Sequence, residues 1–237
     1  MVTRSLRSTA KREHTGGTSP ITNHGEKAND QPPTKRAKTT KERQTTSTPT
    51  STNHETIQQP DTAQPRTLKL TEKTGDIFAA PPNTLLIHAC NCEGSWVAGI
   101  AKAFHDRYPH AYDAYAAHCD EHSHSLFGQA QLIPPRDDDG DSKHFVGCLF
   151  TSRSKGRKKD SPGRILGATR LAMEDLLSKV DEWNVKAGDV GEKVGEVRIC
   201  QINSGLFAVP WVETKAVLES IDVSGFDVKE IKVVSRE

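Results

Sequence analysis

The stretch from Leu85 to Ala101 constrains the fold of this chain more than any other. It begins as a continuous apolar run, breaks at Asn91, passes through small residues and resumes at Gly99 in a pattern typical of the first turns of a helix. A buried strand, a glycine-containing loop and a helix N-terminus form an anion site, because free main-chain N–H groups and the helix dipole both point at the loop. The stretch therefore predicts a ligand that carries phosphate groups.

The composition of the chain changes near residue 65. Residues 1–65 contain no Phe, Tyr, Trp or Cys, and the first aromatic residue is Phe78. A segment rich in Thr, Ser, Pro and Lys cannot bury enough apolar surface to offset its loss of conformational entropy. We therefore expect a disordered tail over residues 1–65 and a folded domain over residues 66–237. The basic cluster Lys35-Arg36-Ala37-Lys38 indicates either a nuclear import signal or solvated charge in the tail, and the second interpretation is favoured.

Charge, hydropathy and cysteine content narrow the class of protein. The formal net charge of +1 is too balanced to indicate direct binding of nucleic acid. No stretch approaches the ~20 apolar residues of a membrane span. The cysteine count of five is odd, and no signal-peptide pattern begins the chain, so we expect an intracellular protein with reduced thiols. The expected compartment is the cytoplasm, with the nucleus as the alternative, and the expected state is a monomer.

Hydrophobic periodicity predicts strands that alternate with helices beyond the tail. The predicted strands are 68–73, 84–89, 129–133, 144–151, 197–202 and 226–234, and the predicted helices are 98–107, 109–119, 162–183 and 211–220. This alternation predicts an α/β domain of three layers, α/β/α, around a mixed, mostly parallel sheet. Two small-residue loops, Asn91 to Gly99 and Asn203 to Val209, leave apolar strands and enter helices, so both are expected at the edge where parallel strands end.

Several motifs in this order resemble a known family. They are Gly75-Asp76-Ile77, Ile87-His88-Ala89-Cys90-Asn91-Cys92, Gly94-Ser95-Trp96, Ala98-Gly99-Ile100-Ala101, Tyr108-Pro109-His110-Ala111-Tyr112 and Gln201-Ile202-Asn203-Ser204-Gly205-Leu206-Phe207. From Leu68 to Val234 the chain resembles a macrodomain, nearest to the fungal ADP-ribose 1″-phosphate phosphatases. The resemblance implies hydrolysis of ADP-ribose 1″-phosphate, a small-molecule byproduct of tRNA splicing, to ADP-ribose and phosphate. It implies no cofactor and no metal.

The resemblance also implies roles for residues. Asp76 would hold the adenine amino group, since a carboxylate accepts from an N–H donor. Asn91 would hold the distal ribose hydroxyls, and the Asn203–Val209 loop would cradle the diphosphate through main-chain N–H groups. The implied substrate-binding residues are Gly75, Asp76, Ile77, Ala89, Cys90, Asn91, Trp96, Val97, Ala98, Gly99, Ile100, Ala101, Asn203, Ser204, Gly205, Leu206, Phe207, Ala208 and Val209. The implied catalytic residues are His88 and Asn91.

Two of these assignments depend on local geometry. His88 has a suitable intrinsic pKa of ~6.5 for a general acid or base, but the alternative is a core histidine. On a regular strand, a residue three positions before Asn91 faces the opposite side of the sheet, so the catalytic role requires a bulge or an early loop start. Val97-Ala98 stands where the family usually has glycines. Because a β-branched residue does not take positive φ cheaply, we expect the loop to be adjusted at Val97.

Rival interpretations remain open. The chain could instead be a non-catalytic module that binds ADP-ribose, or a hydrolase that removes ADP-ribose from modified proteins. The second alternative is disfavoured by Phe207, which stands where relatives with that chemistry have Asp. Metal centres at Cys90 and Cys92, at His118 and His122, or at the acidic turn Asp137–Asp141 each lack a full ligand set, so none is predicted. The basic loop Arg153–Lys159 is interpreted as a solvated loop, with contact to a polyanion as the alternative.

Overall fold

A computed structural model describes residues 66–136, 143–189 and 191–236, so the predicted tail, its basic cluster and the acidic turn lie outside the described residues. The strands are β1 (Lys69–Thr74), β2 (Leu85–Asn91), β3 (Ala130–Ile133), β4 (Phe145–Ser152), β5 (Val197–Ile199) and β6 (Glu230–Ser235). The α-helices are α1 (Gly99–Arg107), α2 (Pro109–His122), α3 (Pro162–Ala187) and α4 (Trp211–Glu219), and Ser123–Leu126 and Gly156–Lys158 form short 3-10 turns.

The six strands form one sheet in the order β1-β6-β5-β2-β4-β3. Every neighbouring pair is parallel except β3 and β4, which are antiparallel. The predicted mixed, mostly parallel sheet is therefore confirmed. The chain leaves β1, β2, β4 and β5 at the same edge of the sheet, so the loops that follow these strands are neighbours.

Each face of the sheet buries its own core, which accounts for the three predicted layers. On one face, Leu85 and Ile87 pack with a stripe of α3 that includes Met173 and Leu176. On the other face, Leu86, Cys90 and Cys148 pack with Phe104 of α1, Tyr115 of α2 and Tyr108 between the two helices. Six of the seven residues of β2 are buried, because both of its faces are covered.

Two strands are shorter than predicted, and α3 continues past its predicted end at residue 183 to Ala187. The strand predicted over 197–202 ends at Ile199, and the one predicted over 226–234 begins at Glu230. Apolar residues continue the strand pattern at both places, but Ile202 and Phe226 pack against the α3 core from loops. Among the described residues, no helix has the length and hydropathy to cross a membrane.

Candidate functional site

A cavity of about 770 Å³ lies at the edge of the sheet where β2, β4 and β5 end. Its walls come from the β2 loop (residues 92–98), the start of α1, the β4 loop (residues 153–161) and the β5 loop (residues 200–210). The bordering residues are Ala89, Asn91, Ser95, Val97–Ala101, Lys155–Arg157, Lys159 and Cys200–Phe207. A cavity of this volume is large enough for a nucleotide-sized ligand.

The β2 loop is held by hydrogen bonds that begin at Asn91. Its Oδ1 accepts from the main-chain N–H of Glu93 at 2.8 Å, and its Nδ2 donates to the Ser95 carbonyl at 2.8 Å. The strand register shifts between Cys90 and Asn91, which marks a bulge before the loop. Nδ2 has a second hydrogen, and Asn91 borders the cavity, so the side chain can hold the loop and still donate to a ligand.

The N-terminus of α1 presents unpaired main-chain donors to the cavity. The first helical hydrogen bond runs from the Lys102 N–H to the Ala98 carbonyl at 3.3 Å, and no side chain caps the helix. The N–H groups of Gly99, Ile100 and Ala101 precede that bond, and all three residues border the cavity. These donors and the helix dipole favour an anion at this end of α1.

Val97 is accommodated without the strain expected of it. The left-handed backbone conformation in this region occurs at Gly94 (φ 64°) and Gly99 (φ 59°), not at Val97. The Val97 side chain is 68% exposed at the mouth of the cavity. The glycines therefore supply the turns, and Val97 avoids the positive φ that a β-branched residue does not take cheaply.

The β5 loop forms the opposite wall and also presents free donors. The main-chain N–H groups of Gly205, Leu206 and Phe207 make no hydrogen bond to another described residue, and these residues border the cavity. The loop is anchored by Asn203, whose Oδ1 accepts from the Thr151 hydroxyl and whose Nδ2 donates to the Thr169 hydroxyl, both at 2.9 Å. Successive unpaired N–H groups in a turn make a concave site for anions.

The structure brings most of the sequence-predicted site residues together and leaves others apart. The predicted residues that border the cavity are Ala89, Asn91, Val97, Ala98, Gly99, Ile100, Ala101, Asn203, Ser204, Gly205, Leu206 and Phe207. Ala208 and Val209 close the turn behind it, where Ala208 has φ 56° and Val209 donates to the Asn203 carbonyl. The functional roles assigned to all these residues stay predictions.

Gly75 and Asp76 lie at the same sheet edge, after β1, and border a separate shallow depression together with Thr74 and Arg236. Asp76 Oδ1 accepts from the main-chain N–H of Phe78 at 3.1 Å, and Oδ2 lies 3.7 Å from the Arg107 guanidinium. Ile77 is buried in the aromatic core. The Asp76 side chain is 44% exposed, so its carboxylate can accept from a ligand donor.

His88, Cys90 and Trp96 do not border the cavity, although the sequence assigned them to the site. The His88 ring is fully buried, stacked on Phe104 at 4.2 Å between ring centroids and packed edge-on against Trp96 at 4.6 Å. The bulge at Asn91 does not bring His88 to the ligand side, because these aromatic rings cover the imidazole. A catalytic role for His88 stays a prediction, and the geometry favours packing.

One group of possible metal ligands occurs among the described residues. His88, Cys90 and Cys148 place one ligand atom each within 4.8 Å of one another, in the buried core away from the cavity. Burial raises the pKa of the Cys90 thiol well above its ordinary value. Because a metal ligand must be the thiolate, this environment favours the protonated thiols of a packed core.

The β4 loop is the part of the site that sequence reasoning missed. Lys155, Gly156, Arg157 and Lys159 border the cavity, whereas the charge pattern had favoured a solvated loop. The signal that could have found them is positional: the loop follows a strand that is buried and parallel to β2. A basic loop in that position lies beside the other two loops.

Comparison with known proteins identifies related sequences. The family described as Macro domain matches residues 87–218. A Chaetomium globosum protein named ADP-ribose 1″-phosphate phosphatase is 47% identical over 169 residues, which cover 69% of this chain and 90% of that protein. An Aspergillus fumigatus protein of the same name is 40% identical over 178 residues, which cover 64% of this chain and 89% of that protein.

Two solved structures share the fold. The macrodomain of Mycobacterium tuberculosis DarG aligns with a TM-score of 0.54 at 20% identity, over 70% of this chain and 97% of that one. Thermosipho africanus DarTG in complex with ADP-ribose aligns with a TM-score of 0.51 at 15% identity, over 72% of this chain and 43% of that one. At these identities the similarity concerns the fold.

Proposed function

The chain belongs to the macrodomain family, and from this premise we propose that it hydrolyses ADP-ribose 1″-phosphate to ADP-ribose and orthophosphate. The observation that carries the substrate class is the 47% identity to a relative of that name across 90% of its length. The geometry supports the same class, since two opposed sets of unpaired N–H groups border one cavity. Both sets are suited to phosphate oxygens.

The donors of the cavity can act in the reaction as well as in binding. Water attacks phosphorus and gives up a proton, the bond between phosphorus and the C1″ oxygen breaks, and the departing oxygen takes up a proton. N–H groups fixed at α1 and in the β5 loop stabilise the charge that develops on the phosphate oxygens without reorganising. The site has positive side chains at Lys155, Arg157 and Lys159, and we propose that the reaction needs no divalent metal. Unchanged phosphate release after exhaustive chelation would support this, and loss restored by Mg²⁺ would contradict it.

A second candidate function is a module that binds ADP-ribose without turnover. It is favoured by one observation: among the residues that the structure describes, no His, Asp or Glu borders the cavity. A general acid or base would then have to be water or a group that moves into the site. A hydrolase acting on ADP-ribosylated proteins is less supported, because Phe207 stands where relatives with that chemistry have Asp.

Phosphate release and calorimetry separate these functions. Purified protein is incubated with ADP-ribose 1″-phosphate while orthophosphate is measured, and ADP-ribose is titrated in parallel. Phosphate release that depends on the protein supports the phosphatase, and ADP-ribose binding without release supports the binding module. Asn91→Ala should weaken ADP-ribose binding and slow phosphate release, because the substitution loosens the β2 loop and removes a hydrogen-bond donor. Lys158→Gln, which alters a residue off the cavity, is the control.

We also propose an intracellular site of action on the byproduct of tRNA splicing, supported by the family resemblance. Deletion of the gene should raise the cellular level of ADP-ribose 1″-phosphate, and a fluorescent fusion should distinguish cytoplasm from nucleus. Unchanged metabolite levels in the deletion strain would contradict the role in this pathway.

A further inference from the structure

Three cations border the cavity from the tip of the β4 loop: Lys155, Arg157 and Lys159. None of their charged groups forms an ion pair with an acid among the described residues. Arg157 and Lys155 are exposed, and Lys159 is half-buried. Three unneutralised positive charges at the wall of one cavity favour a ligand with more than one negative charge.

The base of the same loop is held in place. Asp160 accepts from the Arg153 main-chain N–H at 2.8 Å and pairs with the Arg153 guanidinium at 2.9 Å, and Arg164 approaches the same carboxylate at 3.4 Å. The Arg153 guanidinium also lies over the Phe127 ring, 4.1 Å from its centroid. The guanidinium groups of Arg153 and Arg164 both contact Asp160, so the positive charge available to a ligand is that of the tip.

The β4 loop is also joined to the β2 loop. The Cys92 N–H donates to the Arg153 carbonyl at 3.2 Å, and the Lys155 N–H donates to Glu93 Oε2 at 3.3 Å. The Glu93 carboxylate contacts the main-chain N–H of Lys155 and forms no ion pair with its ammonium group among the described residues. These two hydrogen bonds join the β4 loop to the loop that follows Asn91.

The order of the strands assigns each loop a place along a bound ligand. The sheet runs β5-β2-β4, with adjacent strands about 4.8 Å apart. If the β5 loop holds the diphosphate and the β2 loop holds the distal ribose, the β4 loop lies one strand further on. The group that continues beyond the distal ribose in ADP-ribose 1″-phosphate is its terminal phosphate.

We propose that Lys155, Arg157 and Lys159 bind the terminal phosphate and select ADP-ribose 1″-phosphate over ADP-ribose. The inference rests on the proposed function for the identity of the ligand. A phosphate monoester carries close to two negative charges at neutral pH and accepts several charge-assisted hydrogen bonds. ADP-ribose presents an uncharged hydroxyl at the same place. Because the cations are largely exposed, the preference should weaken as the salt concentration rises.

The test compares the triple variant Lys155→Gln/Arg157→Gln/Lys159→Gln with wild type in the full chain. The readout is the Kd for ADP-ribose divided by the corresponding constant for ADP-ribose 1″-phosphate. That constant is the KM if phosphate is released and a calorimetric Kd if it is not. This ratio should fall at least about tenfold, since the variant loses charged hydrogen bonds to the terminal phosphate of ADP-ribose 1″-phosphate. The ADP-ribose Kd should change less than about twofold, because these contacts do not involve ADP-ribose.

Lys158→Gln is the control for the single variant Arg157→Gln, because each removes one positive charge from the same loop and Lys158 does not border the cavity. Lys158→Gln should leave the ratio unchanged. An unchanged ratio in the triple variant overturns the proposal, as does an equal loss of affinity for both ligands. A fall of the ratio in Lys158→Gln as large as that in Arg157→Gln would also overturn it, since the effect would then come from the general field of the loop. Absence of phosphate release in wild type would count against the proposed function, while the calorimetric ratio still tests the cations.

Discussion

The Tyr115 hydroxyl donates a hydrogen bond of 2.7 Å to the main-chain carbonyl of Asn91, and it accepts one of 3.1 Å from the Ser95 N–H. A residue of α2 thus bridges the end of β2 and the middle of the β2 loop. The ring beneath is stacked on Trp96, with 4.8 Å between centroids, and is fully buried. The position of a loop that borders the cavity therefore depends on a side chain that does not border it.

Removal of this hydroxyl should loosen the loop. Tyr115→Phe leaves the Ser95 N–H and one carbonyl lone pair without their partner, so the free energy of unfolding should fall by about 1–3 kcal/mol. ADP-ribose binding should weaken as well, since Asn91 loses part of its support. Denaturant unfolding and calorimetry measure the two effects. Tyr112→Phe is the control, because that half-buried hydroxyl makes one longer bond, 3.3 Å, to the Gly94 carbonyl. Equal effects of the two variants would contradict this role of Tyr115.

Asp76 offers a test of base recognition. Asp76→Asn preserves an acceptor for the Phe78 N–H but places an amide, with its two donors, where the carboxylate had only acceptors. If Asp76 binds the adenine amino group, the ADP-ribose Kd should rise about tenfold, and the preference over uridine diphosphate sugars should shrink. Competition calorimetry measures both. Arg107→Gln, which removes the 3.7 Å ion pair and the contact of the guanidinium with the Phe78 ring but leaves the Asp76 carboxylate, should keep the preference. An unaltered preference in Asp76→Asn would refute the assignment.

A substitution of His88 can distinguish a structural role of its buried ring from a catalytic role. Because its ring is fully buried against Phe104 and Trp96, His88→Ala should lower the free energy of unfolding by about 2–5 kcal/mol, as other large buried side chains do. Phosphate release per folded molecule should then persist at temperatures well below the midpoint of unfolding. A variant that stays as stable as wild type but loses turnover, with ADP-ribose binding intact, would establish the catalytic role.

Alkaline pH should destabilise the fold through its buried thiols. Burial raises the pKa of Cys92 to about 12 and that of Cys119 to about 11, from the ordinary thiol value of 9.0. Between pH 9 and these values the unfolded chain loses thiol protons that the folded chain keeps, so stability falls as pH rises. Urea unfolding at a series of pH values should show a steeper decline above pH 9 in wild type than in Cys92→Ser. Parallel declines in the two proteins would contradict this linkage.

Local sequence patterns predicted the sheet well, because each depends on a short window. The β2 run is continuously apolar since both faces of the strand are covered, and the break at Asn91 coincides with the strand end. The β5 boundary was misplaced, since Cys200 and Ile202 continue the apolar alternation of a strand and pack on the core from a loop. Apolar periodicity reports burial, and it does not report whether the main chain pairs with a neighbour.

By itself, the sequence determined that a small-residue loop joins a buried strand to a helix, and that a second such loop follows later, since glycine, asparagine and apolar spacing act within a few residues. Tertiary structure alone decided that His88 lies beneath Trp96 while Lys155, Arg157 and Lys159 border the cavity. Those outcomes depend on which strands are neighbours in the sheet and on which rings fill the space beneath a loop. Contacts between residues far apart in the chain set both, and no local pattern encodes them.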